Sequence, residues 1–261
     1  MSTYDDPRLG FDGDAERYAR ARPEYPSAVF DDLEAVIDLG PGSRVLEIGP
    51  GTAQATRELA RTGASIVAME IGAELAARAR AELAEFENVE LVVSPFETWP
   101  LPPQAYDIVF AATSFHWVDP EVRVLKAAAA LRPGGVLATL STQHVAGGSR
   151  GFFKASQACY ERWDPATEKG LRLPRAVEVL PDPEVLPPDL FEPPTFRRYE
   201  REISYTTAEY LDLLMTYSDH IQLTAEQREG LLGCLGDLIE GEFGGRIVKR
   251  YLFELRVARR A

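Results

Sequence analysis

Residues 44 to 52, Arg-Val-Leu-Glu-Ile-Gly-Pro-Gly-Thr, constrain this chain more than any other stretch. Val45, Leu46 and Ile48 form an apolar run long enough for one buried strand, and Gly49, Pro50 and Gly51 stop it. A helical segment follows from Gln54, with Ala55, Leu59 and Ala60 on one side. Strand, glycine turn and helix make the first half of a βαβ unit. The glycines permit a tight turn and a close approach of ligand to backbone. The free N–H groups of the following helix favour a carboxylate or phosphate. Glu70 ends the next apolar strand, Ile66 to Met69. An acid about 20 residues after such a turn is placed for a pair of ribose hydroxyls.

The alternation continues. Helical spacing covers Ser27 to Leu39 and Leu75 to Phe86; strands are expected at Val89 to Val93, Tyr106 to Ala111 and Val136 to Leu140. Asp119 is the expected N-cap of a further helix, with Pro120 at its first position and Leu131 at its end. Alternating strands and helices imply a parallel, doubly wound sheet, whose ligands bind beyond the C-terminal strand ends. Those ends are Gly49 to Thr52, Glu70, Pro95 to Glu97 and Ala112 to Trp117, all on one rim.

From Ser141 the texture changes. Proline becomes dense and aromatics are scattered, which reads as a cap over residues 141–195 inserted after the fifth strand. Thr206 with Glu209 and Thr224 with Gln227 have capping-box spacing. Tyr210, Leu213, Leu214 and Tyr217 form one apolar stripe, and Leu231, Leu235, Leu238 and Ile239 another. Phe196 to Tyr205 and Ile247 to Val257 read as long, charge-interleaved strands, half exposed at the sheet edge. The expected organisation is an arm and helix over 1–40, a core over 41–140, the cap, and C-terminal strands and helices over 196–261.

The net charge of −13 argues against a nucleic-acid backbone as partner, since phosphate binding needs clustered Lys and Arg. Cys159 and Cys234, far apart in sequence, read as ordinary buried thiols rather than a disulfide or metal site. No apolar run reaches the roughly 18 residues of a membrane span. Met-Ser-Thr-Tyr-Asp-Asp at the start lacks the basic and apolar regions of a signal peptide. The expectation is a cytoplasmic protein, monomer or homodimer, without nucleic acid, membrane or metal.

The dinucleotide fingerprint is incomplete, because Gln54 stands at its third glycine, and no Gly-Lys-Ser/Thr completes a phosphate loop. Leu-Glu-Ile-Gly-Pro-Gly-Thr with Glu70 resembles motif I and the acidic loop of class I S-adenosylmethionine (SAM) methyltransferases. Phe-His-Trp-Val-Asp-Pro and Leu-Arg-Pro-Gly-Gly resemble the same family, in the methyltransferase type 11 or trans-aconitate methyltransferase-like branch. Tyr-x-x-x-Arg-Pro-x-Tyr-Pro, from Tyr18, is similar to the arm that closes over the cofactor in that branch. The resemblance implies a Rossmann-like doubly wound α/β sheet of seven strands, mostly parallel with an antiparallel edge strand, plus a helical cap. It implies SAM as cofactor, held by Tyr18, Arg22, Glu47, Gly49, Gly51, Thr52, Glu70, Ile71, Pro95, Phe96, Glu97, Thr113 and Ser114. Relatives carry Asp-Ala where this chain has Pro95-Phe96, so adenine would meet a backbone N–H and an aromatic wall.

Methyl transfer from SAM needs alignment and exclusion of water, and a base only where the acceptor must lose a proton. His116, just past the fourth strand, is the candidate base, with packing at the helix start as its alternative role. Trp117, Tyr217 and His220 are candidate substrate residues; a histidine at a helix end also stabilises the dipole. The function these features imply is methyl transfer to a small organic molecule with a carboxylate, hydroxyl or carbon acceptor. The alternatives are an NAD-dependent oxidoreductase and a SAM-binding protein without catalysis.

Overall fold

The computed structural model describes residues 6–182 and 184–261; residues 1–5, where a leader was sought, and Pro183 lie outside it. The elements in order are α1 (Ala15–Ala21), α2 (Ser27–Ile37), β1 (Arg44–Ile48), α3 (Gln54–Arg61), β2 (Ser65–Glu70), α4 (Ala73–Glu82) and β3 (Val89–Val93). Then come β4 (Tyr106–Ala112), α5 (Arg123–Ala130), β5 (Leu131–Val145), α6 (Arg150–Ala155) and α7 (Gln157–Trp163). The chain closes with β6 (Thr195–Thr206), α8 (Thr207–Leu214), α9 (Ser218–Gln222), α10 (Ala225–Phe243) and β7 (Arg246–Arg259).

One seven-stranded sheet runs β3-β2-β1-β4-β5-β7-β6. The first five strands pair in parallel. β7 runs antiparallel to both β5 and β6, so the reversed strand lies one place in from the edge and β6 takes the edge. The order reverses at β1, and the crevice this opens beyond the strand ends is where such sheets take ligands.

The pleat sends alternate side chains to opposite faces. Val45, Ile66, Ile108, Phe110 and Val136 share one apolar cluster; Leu46, Ile48, Met69, Val109 and Leu137 share the other. Both faces are covered, as a parallel sheet requires. Phe110, fully buried, contributes on the order of 2–3 kcal/mol of the burial free energy.

The capping boxes at Thr206–Glu209 and Thr224–Gln227 are both formed. Their helices bury Tyr210, Leu213 and Leu214, and Leu231, Leu235 and Ile239. Among the described residues, no helix is long and apolar enough to cross a membrane.

Three sequence expectations change. α5 begins at Arg123 with Val122 as its cap residue; the Asp119 carboxylate instead accepts from the N–H of Glu121 at 2.9 Å, so it caps the turn before the helix. β7 is buried along nearly its whole length rather than half exposed, because β5 and β6 flank it and helices cover it. Its charges at Lys249, Glu254 and Arg256 are therefore interior. Finally, Cys159 and Cys234 are not free thiols but a disulfide, with Cα atoms 5.8 Å apart. α7 and α10 pack side by side and bring them together across 75 residues, a pairing that sequence spacing does not encode. In a reducing compartment the pair would be held as thiols.

Candidate functional site

The turn after β1 is built on left-handed backbone: Gly49 at φ 68°, Gly51 at 59° and Ala53 at 71°. A Cβ on Gly49 would lie 2.6 Å from Ser114 Cβ, so β1 and β4 approach closely only because that residue is glycine. Ser114 holds the contact by donating its hydroxyl to the Ile48 carbonyl. Thr113, at φ 56°, stands within 3.3 Å of the Tyr25 hydroxyl.

Glu70, at the end of β2, is nearly buried and faces this turn. Its Oε2 accepts from Gly51 N–H at 2.9 Å; Oε1 accepts from Ile71 N–H at 2.8 Å and Gly72 N–H at 3.0 Å. Burial raises its pKa, and these three N–H groups pull against that rise. A carboxylate has about four lone-pair sites, so capacity for a hydroxyl remains.

A cavity of about 810 Å³ opens over this rim. Its wall includes Gly49, Gly51, Glu70, Ile71, Pro95, Phe96, Thr113 and Ser114. Four strand ends thus meet there, within the size range of small-molecule sites. Tyr18, Arg22, His116, Trp117, Tyr217 and His220 also line it.

Glu47, Thr52 and Glu97 do not line that cavity. Glu47 is fully buried behind the turn, and neither carboxylate oxygen has a hydrogen-bond partner among the described residues. Burial pushes its carboxyl up to about 8; the nearby Thr56 hydroxyl acts to lower it, and the Glu70 charge adds to the rise. The Thr52 hydroxyl donates to Gln54 Oε1 at 3.0 Å. Glu97 pairs with Arg8 at 2.8 Å and accepts from Asp119 N–H at 3.1 Å.

The N-terminal segment closes one side. Asp12 Oδ1 accepts from Leu75 N–H at 2.7 Å and sits 2.5 Å from where a Gly72 Cβ would be. Phe11 meets the edge of Trp117, with ring centroids 5.5 Å apart. The Arg22 guanidinium lies between the rings of Tyr18 and Tyr217, at 4.9 and 4.6 Å, and donates to the Thr216 carbonyl at 2.6 Å.

His116 has its pKa lowered by burial and by Arg123, so it is neutral near pH 7. His220 is buried between the Tyr160 hydroxyl, 3.1 Å from Nε2, and Asp219, 2.8 Å from Nδ1. Sequence reasoning missed Thr142, His144, Gln157, Lys249 and Arg256, which also face the cavity. The interruption of an apolar strand by Lys249 and Arg256 was the available signal, and it read as a solvated edge.

Residues 46–139 match the family model described as a methyltransferase domain. Those residues are similar to a methyltransferase domain. That domain spans β1 to β5, the strands that build the rim. An uncharacterized methyltransferase of Mycobacterium bovis is 33% identical over 132 residues, 51% of each chain. The chain spans about half the length of the curated relatives it matches. Among solved structures, a protein of Anaeromyxobacter dehalogenans described as a type II methyltransferase covers 91% of this chain and 97% of its own, with 22% identity and a TM-score of 0.56. Phosphoethanolamine N-methyltransferase 2 of Haemonchus contortus, solved with phosphomonomethylethanolamine and S-adenosylhomocysteine, covers 98% of this chain and 61% of its own, with 14% identity and a TM-score of 0.53. At these identities the two structures establish the fold. The family match is to methyltransferases over residues 46–139; the trans-aconitate likeness rests on the arm and loop residues alone.

Proposed function

We propose that the chain transfers a methyl group from SAM to a small organic molecule. The observation that carries this reading is the hydrogen bond between Glu70 and Gly51, which ties the acid at the β2 end to the glycine turn on the wall of one cavity. The residues fit the cofactor. Glu70 keeps acceptor capacity for ribose hydroxyls, Gly49 and Gly51 line the cavity beside it, and Phe96 supplies an apolar wall for adenine. The Haemonchus enzyme of the same fold, solved with S-adenosylhomocysteine, supports the assignment.

Bound there, SAM would supply an activated sulfonium methyl. The protein's own work is then alignment and exclusion of water. Phe11, Tyr18 and Arg22 cover the rim from the N-terminal side. His116, neutral near pH 7, stands on the cavity wall and would accept a proton where the acceptor must lose one. The arrangement favours a small acceptor, because residues of the arm, α7 and α9 stand on the cavity wall around the rim.

Thermal shift separates this reading from an oxidoreductase. S-adenosylhomocysteine should raise the melting temperature in a concentration-dependent way and NAD should leave it unchanged. Stabilisation by NAD with none by S-adenosylhomocysteine would overturn the proposal. Methyl transfer to an acceptor then distinguishes an enzyme from a binding protein.

A further inference from the structure

On one face of the sheet, beyond the cofactor rim, the cavity has an inner chamber. Tyr251 pairs in register with His144, and Phe253 with Thr142, so these β5 side chains share a face with Lys249 and Tyr251 on β7. Gln157, on α7, lines the same cavity.

Lys249 is 3% exposed. Its ammonium donates to the Tyr217 hydroxyl at 2.8 Å and forms no ion pair among the described residues. Arg22, 4.6 Å from the centre of the Tyr217 ring, bonds a carbonyl and also has no carboxylate partner among them. The nearby Asp219 carboxylate is engaged by His220. Two cations thus line the cavity without an ion-pair partner among the described residues, in a protein whose net charge is −13. Burying a charge without its opposite is costly, so the arrangement calls for an anion.

The neighbouring polar atoms are also unsatisfied. Thr142 Oγ1, His144 Nε2 and Gln157 Oε1 are buried without hydrogen-bond partners among the described residues, and all three residues line the cavity. Buried polar atoms are ordinarily paired, and orphans gathered on one cavity wall mark a ligand or ordered water. Burial and then Lys249 push His144 down to about 2, so it meets a ligand as a neutral imidazole.

We propose that this chamber binds a small organic carboxylate, with Lys249 as its charge partner and Thr142, His144 and Gln157 bonding its polar substituents. The proposal rests on the methyltransferase reading only in calling this molecule the acceptor. Tyr217 fits as the wall between the cofactor side and the chamber. Burial acts to raise its hydroxyl, but Lys249 and Arg22 more than reverse this and hold its pKa below the ordinary value. Its hydroxyl then keeps the ammonium oriented when no anion is bound.

The test is calorimetry with three acid–amide pairs, benzoate and benzamide, cinnamate and cinnamamide, succinate and succinamide, each with and without S-adenosylhomocysteine. At least one acid should bind about tenfold or more tightly than its amide, the effect of one charge-assisted contact. Lys249→Met should erase that preference while its affinity for S-adenosylhomocysteine stays at the parental value, which also reports correct folding. Lys249→Arg should keep most of the preference. Equal binding of acids and amides, no binding of any acid, or an undiminished preference in Lys249→Met would overturn the proposal. S-adenosylhomocysteine binding without acid preference removes the chamber and leaves the cofactor reading; acid preference without S-adenosylhomocysteine binding does the reverse.

Discussion

Glu70 Oε2 lies 2.9 Å from the backbone nitrogen of Gly51, and this bond joins the end of β2 to the turn after β1. It holds the acid at the position where ribose hydroxyls would be read. Glu70→Ala should therefore weaken S-adenosylhomocysteine by about 1–3 kcal/mol, the range of a hydrogen bond to a charged group. Glu70→Gln should keep part of that, because the amide oxygen still accepts from the turn. Calorimetry decides it: an affinity within twofold of the parent in Glu70→Ala would show that the carboxylate only braces the loop.

The N-terminal segment is tied down at both ends of the cavity rim, by Asp12 on Leu75 N–H and by Arg22 between two tyrosines. Asp12→Ala should lower stability by about 1 kcal/mol, as loss of a helix cap does. Deleting the chain through Arg22 should leave a folded protein with cofactor affinity lowered about tenfold or more, equivalent to roughly 1.4 kcal/mol. Parental affinity in the truncated protein would make the segment packing alone.

Glu47 predicts a pH dependence of stability. Burial holds its carboxyl protonated up to about 8, against 4.5 in an unfolded chain. The folded state therefore binds more protons than the unfolded state between those values. Its contribution is fully present below 4.5 and is lost as pH rises through about 8. The slope is at most about 1.4 kcal/mol per pH unit. In Glu47→Gln that part of the slope should vanish and stability above pH 8 should exceed the parent's. Urea unfolding across the range is the measurement, and parallel profiles for the two proteins would mean that Glu47 is ionised in the fold.

The local features were legible in the chain, each for a local reason. Val45, Leu46 and Ile48 followed by Gly49-Pro50-Gly51 specify a strand and its turn, because apolar spacing and backbone freedom act over a few residues. Thr206 with Glu209 and Thr224 with Gln227 announce two helix starts, because a capping box closes within four residues. The four loops on one rim followed from the handedness and order of βαβ units.

What only the tertiary structure decided depends on contacts between distant segments. Cys159 and Cys234 are bridged because α7 packs on α10, and Lys249 is interior because α8 and α10 pack on the strand that carries it. Charges on β7 had the spacing of a solvated edge; burial on both faces, which the sequence of one strand does not express, makes them interior and sets Lys249 on the cavity wall. Glu47 had the position of a cofactor residue by resemblance, yet the pleat turns its side chain behind the turn, away from the cavity. A strand's own residues specify its alternation, whereas the elements packed later against each face determine whether a side chain meets water, core or ligand.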